Sequence, residues 1–251
     1  MSNPDLEPTA APRTGMNTMS SAMLEFPGYY RWLFSQFDRW VGDSVLDVGT
    51  GPGIHLDGLE GRKVIAADLS QACLDDIRRR FPRVETVMAD IADPAFAETM
   101  AGRGIDTITC LNVLEHIPDD GRTLVGFRRI LARSGGRLIL VVPAHQALYG
   151  AMDRLADHRR RYSGPGLRRL LETSGFRIIH ARHFNPVGGL AWYANARLLP
   201  VRDLSAPVVN GQIRLFALVL PVARAVDWVA CRTFRIPFGQ SIIAVAEPCP
   251  G

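Results

Sequence analysis

Short apolar runs recur along this chain at intervals too wide for hairpins, and the segments between them carry helical periodicity. The runs lie at 44–48, 63–67, 84–88, 105–111, 136–142, 176–181 and 241–246 and are dominated by Val, Ile, Leu and Ala. Such runs predict strands covered on both faces. Between them, apolar positions spaced by three and four predict helices over 71–80, 119–131 and 166–174, the last stopped by Gly175. Strands alternating with helices predict parallel βαβ units and an α/β, doubly wound sheet, whose ligands bind beyond the carboxyl ends of the strands. Two segments break the rhythm. The stretch 144–163 is polar, aromatic and arginine-rich, and 185–239 is an apolar insertion with helical stretches of its own; both exceed a simple connection.

Composition narrows the setting. At 251 residues, 47% hydrophobic and 22% charged, the chain suits one α/β domain over 21–251. Residues 1–20 are rich in Pro, Ser, Thr and Asn and lack the basic start and apolar run of a secretory signal, which predicts a flexible tail and a cytoplasmic protein. Cys73, Cys110, Cys231 and Cys249 form no CxxC pair, which argues against a disulfide framework or a zinc site. The net charge is +4, but of 29 basic residues only Lys63 is a lysine. That bias reads as codon preference rather than selection for phosphate contacts, so no nucleic-acid partner is expected. The apolar stretch 215–230 is interrupted by Pro221, Arg224 and Asp227 and is too short to span a bilayer; peripheral membrane contact stays open.

The chemistry concentrates at strand ends. After Val45-Leu46-Asp47-Val48 come Gly49, Thr50, Gly51 and Gly53, a turn whose backbone can approach a ligand closely. A dinucleotide fingerprint would need glycine at 54, where the chain has Ile54. Asp68, followed by Leu69, ends the second predicted strand, where a carboxylate can accept hydrogen bonds from a ribose diol. Asp90 follows the third, positioned to accept from an adenine amino group while Ile91 packs on the ring. The alternative is that Asp68 and Asp90 cap the following helices.

These residues resemble the class I S-adenosylmethionine (SAM)-dependent methyltransferases over 25–246. The resemblance implies SAM as cofactor and a Rossmann-like sheet of seven strands in the order 3-2-1-4-5-7-6, the last antiparallel. It makes Asp47, Gly49, Thr50, Gly51 and Gly53 the first motif, Asp68 the ribose acid and Asp90 the adenine-side acid. The run from Asp106 to Ile117 matches the fourth-strand motif, which implies that Asn112 lines the methionine half of SAM, with His116 close by.

Transfer from a sulfonium is an in-line displacement that needs a held nucleophile, a base if that nucleophile carries a proton, and no metal. His145 is the leading candidate base, with Tyr149 and His158 as further catalytic candidates and Asp153 in the same segment. This part is similar to a bacterial subgroup carrying a proline, a histidine, a Tyr-Gly pair and His-x-Arg-Arg-Tyr. Arg159 and Arg161 could bind an anionic substrate group through forked hydrogen bonds, with Tyr162 beside them; the alternative is a solvated helix end. Tyr29 and Tyr30 either close the cofactor site or pack the core. His55 is a weaker candidate for the SAM carboxylate, and His180 and His183 read as structural. Trp192 belongs to the apolar insertion, read as a lid over a hydrophobic or aromatic acceptor or as a homodimer surface. The leading function is therefore methylation of a small natural-product, lipid or sugar-linked acceptor. The alternatives are another reaction on the same fold, such as a cyclisation, or a non-catalytic SAM-binding subunit. A nucleic-acid methyltransferase is disfavoured by the absence of an Asn/Asp-Pro-Pro-Tyr-like motif.

Overall fold

Alternation of side chains along each strand decides where the helices sit. The computed structural model describes residues 26–197 and 207–250; the expected tail over 1–20 lies outside them. Its strands are β1 (Ser44–Val48), β2 (Lys63–Asp68), β3 (Glu85–Met88), β4 (Thr107–Leu111), β5 (Arg137–Pro143), β6 (Phe176–Phe184) and β7 (Ser241–Pro248). They form one sheet in the order β3-β2-β1-β4-β5-β7-β6, with β7 antiparallel to both neighbours and every other pairing parallel. Order and antiparallel strand both match the expectation from the resemblance.

In β5, Leu138, Leu140 and Val142 face one layer while Ile139 and Val141 face the other, as the two-residue period of a strand requires. The first layer holds α3 (Pro94–Met100), α4 (Asp120–Leu131) and α6 (Gly164–Thr173), with Phe96, Phe127 and Leu171 in the core. The second holds α1 (Pro27–Phe34), α2 (Gln71–Arg80) and α8 (Pro207–Asp227), with Trp32, Phe37 and Ile77 buried. Burial of such side chains stabilises by roughly 1.5–3 kcal/mol each, which is why the central strands read as unbroken apolar runs.

Several boundaries move for visible reasons. β4 begins at Thr107 rather than 105, because Asp106 turns its carboxylate back to accept from the backbone N–H groups of Asp43 and Ser44. β6 and β7 run on to Phe184 and Pro248, since their antiparallel ladder pairs Phe176 with Pro248 and Phe184 with Ser241. Ladder hydrogen bonds there extend past the apolar residues that reveal the strand. Leu114–His116 is a single 3-10 turn, and α4 follows with Asp119 as its cap, accepting from Arg122 N–H at 2.9 Å.

The two long departures meet through Met152 of the first and Trp192 and Ile213 of the second. The first contains α5 (Ala151–Leu155) and pairs Ala144 with Tyr162 by a single bridge. The second contains α7 (Pro186–Arg197) and α8, which carries Pro221 internally. Asp227, at the end of α8, accepts from the Arg182 guanidinium and the Asn185 N–H, fastening the insertion to the end of β6. Among the described residues no helix is long and apolar enough to cross a membrane.

Candidate active site

The carboxyl ends of β1, β2 and β4 bring the glycine turn and the acidic strand ends together. Gly49 has φ +65°, and a Cβ there would lie 2.5 Å from the Val113 side chain, so only glycine fits beneath this turn. Gly51 is different: at φ +53° its missing Cβ would meet nothing within 4 Å. Its N–H donates to Asp68 Oδ2 at 2.8 Å, and Ser70 N–H donates to Oδ1 at 2.8 Å. A carboxylate has about four lone-pair sites, so Asp68 keeps acceptor capacity for a diol while these bonds fix its orientation. An open backbone cradle beside an oriented carboxylate fits the adenosine and sulfonium portions of SAM.

Asp47 plays another part. It is buried; it accepts from Thr109 Oγ1 at 2.6 Å and pairs with His55 Nε2 at 2.9 Å. Burial alone would raise the Asp47 carboxyl, but His55 and the hydroxyl donor bring it below its ordinary value. Burial likewise opposes charge on His55, and Asp47 outweighs it, raising the imidazole. The pair is an ionic strut under the glycine turn, which accounts for a histidine at position 55. Asp90 is exposed and accepts from Ala92 N–H at 2.9 Å, starting the turn that leads to Asp93, the cap of α3. Leu69 is 52% exposed, Ile91 is half-buried, and Asn112 takes φ +56° with its N–H bonded to Val141 O at 2.8 Å.

Tyr29 is core: it packs against Phe26, Trp32, Phe184 and Phe216, and burial drives its hydroxyl's pKa far upward. Tyr30 meets it edge-on at 5.6 Å.

The segment after β5 folds back onto the turn after β4. Asp153 is its hub, fully buried, accepting from Arg161 Nε at 2.7 Å, His158 Nδ1 at 2.9 Å, Gly150 N–H at 2.9 Å and Trp192 Nε1 at 3.3 Å. Burial raises its carboxyl, yet His158 and Arg161 hold it below the usual range. Of the two arginines expected to grip a substrate anion, Arg161 is buried and Arg159 stays exposed. Arg161 is buried between Asp153, Ala144 O and the Trp192 face; Arg159 Nε donates to His116 O at 3.0 Å; Arg160 pairs with Asp120. The run is not helical, and its three guanidinium groups all have partners within the protein. Tyr149 donates to His158 O at 2.7 Å, and Tyr162 to Asp120 Oδ2 at 2.9 Å.

Glu115 is the residue whose importance sequence reasoning missed. It is fully buried, and neither carboxylate oxygen has a hydrogen-bond partner. Burial pushes its pKa up to about 7, only partly opposed by His158, whose Nε2 lies 3.8 Å away. His116 donates Nδ1–H to Asp157 O at 3.0 Å, and burial with His158 nearby depresses its pKa to about 4. An acidic residue in the apolar run Leu114-Glu115-His116-Ile117 was the available signal. His145 lies on the other side of β5: at φ +62°, its ring stacks on His183 at 5.0 Å and Phe238 at 5.4 Å. Its Nε2 is buried with no partner, and burial, then Arg161, lower its pKa.

Residues 28–181 match the model of the methyltransferase domain family. The chain is 27% identical over 186 residues to a Mycolicibacterium smegmatis protein described as a probable SAM-dependent methyltransferase, covering 71% of this chain and 70% of that protein. It is 34% identical over 106 residues to the ubiquinone biosynthesis O-methyltransferase of Pseudomonas paraeruginosa, covering 40% of this chain and 44% of that enzyme. The fold resembles that of a SAM-dependent methyltransferase from Mesorhizobium loti at 15% identity and TM-score 0.56, covering 86% of this chain and 97% of that one. This chain belongs to the methyltransferase domain family and is a SAM-dependent, Rossmann-like enzyme.

Proposed function

We propose that this enzyme methylates a small, largely apolar, hydroxylated acceptor lying beyond the carboxyl ends of β4 and β5, next to SAM in the crevice where β1 and β4 diverge. The observation that carries the reading is the empty space at Gly51 beside the oriented carboxylate of Asp68. In this reading Asp68 accepts from the ribose diol, Asp90 and Ile91 bound the adenine side, and Asn112 with its neighbouring backbone lines the methionine half. Bound SAM supplies a methyl group on sulfonium. The chain's task is then to hold the acceptor in line and remove its proton.

Trp192 joins α7 to the Asp153 hub, which supports a lid role for the insertion and an aromatic wall for the acceptor. The similarity to a ubiquinone biosynthesis O-methyltransferase supports oxygen as the accepting atom. His145 is the general base of this reading: its pKa is depressed and its Nε2 has no partner, so a neutral lone pair is present near pH 7. Methyl-labelled SAM incubated with a panel of hydroxylated aromatic and isoprenoid compounds tests the proposal. One or more of them should acquire label, and His145→Ala should lower turnover about 100-fold with SAM affinity within twofold of wild type. Wild-type turnover in that variant would remove His145 from the chemistry, and a panel wholly unlabelled would refute the acceptor class.

A further inference from the structure

We infer that Glu115, His116 and His158 form a binding site for a divalent first-row transition-metal cation. One donor atom from each of the three lies within 4.8 Å of the others, and Glu115 Oε1 is 3.8 Å from His158 Nε2. That gap is too long for a hydrogen bond and close to the roughly 3.3 Å expected between donors sharing an ion at about 2.05 Å.

The outer contacts settle which nitrogen of each neutral ring carries the proton. His158 Nδ1–H is taken by the Asp153 carboxylate at 2.9 Å, and His116 Nδ1–H by the carbonyl of Asp157 at 3.0 Å. Each bond assigns the proton to Nδ1, leaving Nε2 of each ring with its lone pair. Carboxylate and carbonyl partners on the far nitrogen are the usual support of a metal-binding histidine. Asp153 is in turn held by Arg161, Gly150 and Trp192, so the His158 ring is braced.

Glu115 supplies the independent observation. A fully buried carboxylate with neither oxygen hydrogen-bonded is costly, and the Arg161 guanidinium is spent on Asp153 and Ala144 O. A cation in the gap would satisfy both Glu115 and the two ring lone pairs. Two imidazoles and one carboxylate favour zinc, iron, manganese or cobalt over magnesium or calcium, whose sites are built from oxygen. Three protein donors leave at least one position for water or another oxygen ligand. The site lies in the turn after β4 and the segment after β5.

Cobalt(II) is the probe, because its visible spectrum distinguishes nitrogen and oxygen ligation from thiolate ligation. The full chain without an affinity tag, dialysed against chelator, should take up one equivalent at micromolar or lower dissociation constant. It should show ligand-field absorption and no thiolate charge-transfer band. Glu115→Gln and His116→Gln should each weaken uptake at least tenfold, while far-ultraviolet circular dichroism and a cooperative thermal melt show that each variant is folded. The His116 ring is partly exposed, so that variant tests the site even if Glu115→Gln does not fold. Uptake only at millimolar cobalt, a thiolate band, or undiminished affinity in the folded variants would overturn the assignment.

Discussion

His55 shows how a residue that looks like a ligand contact becomes structural once its partner is seen. Its ring is tied to Asp47, which Thr109 also holds. The pair makes stability depend on pH in a defined sense. His55 has a raised pKa, so its contribution is complete below the ordinary value of 6.5 and is lost as pH climbs through the raised value. Asp47 has a lowered pKa, so its contribution is present above 3.8 and is lost as pH falls through the lowered value. Stabilisation by the pair is therefore greatest between about pH 4 and 6.5. Thermal melting of wild type and His55→Gln should differ most in that window, and the difference should shrink steadily toward pH 9. A difference independent of pH from 5 to 9 would mean that the two groups do not share charge.

At the level of elements, burial governs both what can be read and what can be changed. α8 presents Leu218, 80% exposed, and Val222, 63% exposed, to solvent, while Ala223 is fully buried against the layer of α1. Val222→Gln should change unfolding free energy by no more than about 0.5 kcal/mol, whereas Ala223→Gln, one residue on, should destabilise by about 1–3 kcal/mol through overpacking. Denaturant melts of the two variants compare them directly, and equal losses would mean that the helix is rotated. The same logic explains which features were legible. All seven strands and three of the helices could be read because residues such as Leu138 and Ile139 are apolar on both faces of the sheet. The glycine turn and Asp68 were legible because they lie at fixed places after strands. The Glu115–His158 cluster was not, since its members stand on opposite sides of β5 in sequence and meet only when the segment after β5 folds back. Nor does a run of arginines reveal that Arg161 finds Asp153 while Arg160 finds Asp120; partner choice is set by tertiary geometry.

For the whole molecule, glycine turns at the carboxyl and amino ends of the strands allow a matched test of the proposed cofactor cradle. Gly51 follows β1, at the carboxyl ends, with φ +53°; Gly61 precedes β2, at the amino ends, with φ +83°. A Cβ added at either meets nothing within 4 Å, so alanine at either costs mainly the backbone penalty of the left-handed region, about 1–2 kcal/mol. Each variant should therefore melt lower than wild type by roughly 2–8 °C for a chain of this size. Ligand linkage separates them. SAM at one hundred times its dissociation constant stabilises the folded state by about 2.7 kcal/mol, a rise of roughly 5–11 °C at about 2–4 °C per kcal/mol. Gly61→Ala should keep that rise, because its turn lies at the far end of the sheet from the crevice. Gly51→Ala should lose most of it at the same SAM concentration, because the added methyl group fills space that the cofactor needs. Melting curves with and without SAM for the three proteins decide the matter: an undiminished rise in Gly51→Ala would place the cofactor elsewhere, and an equal loss in both variants would mean that the effect is on the fold rather than on the cradle.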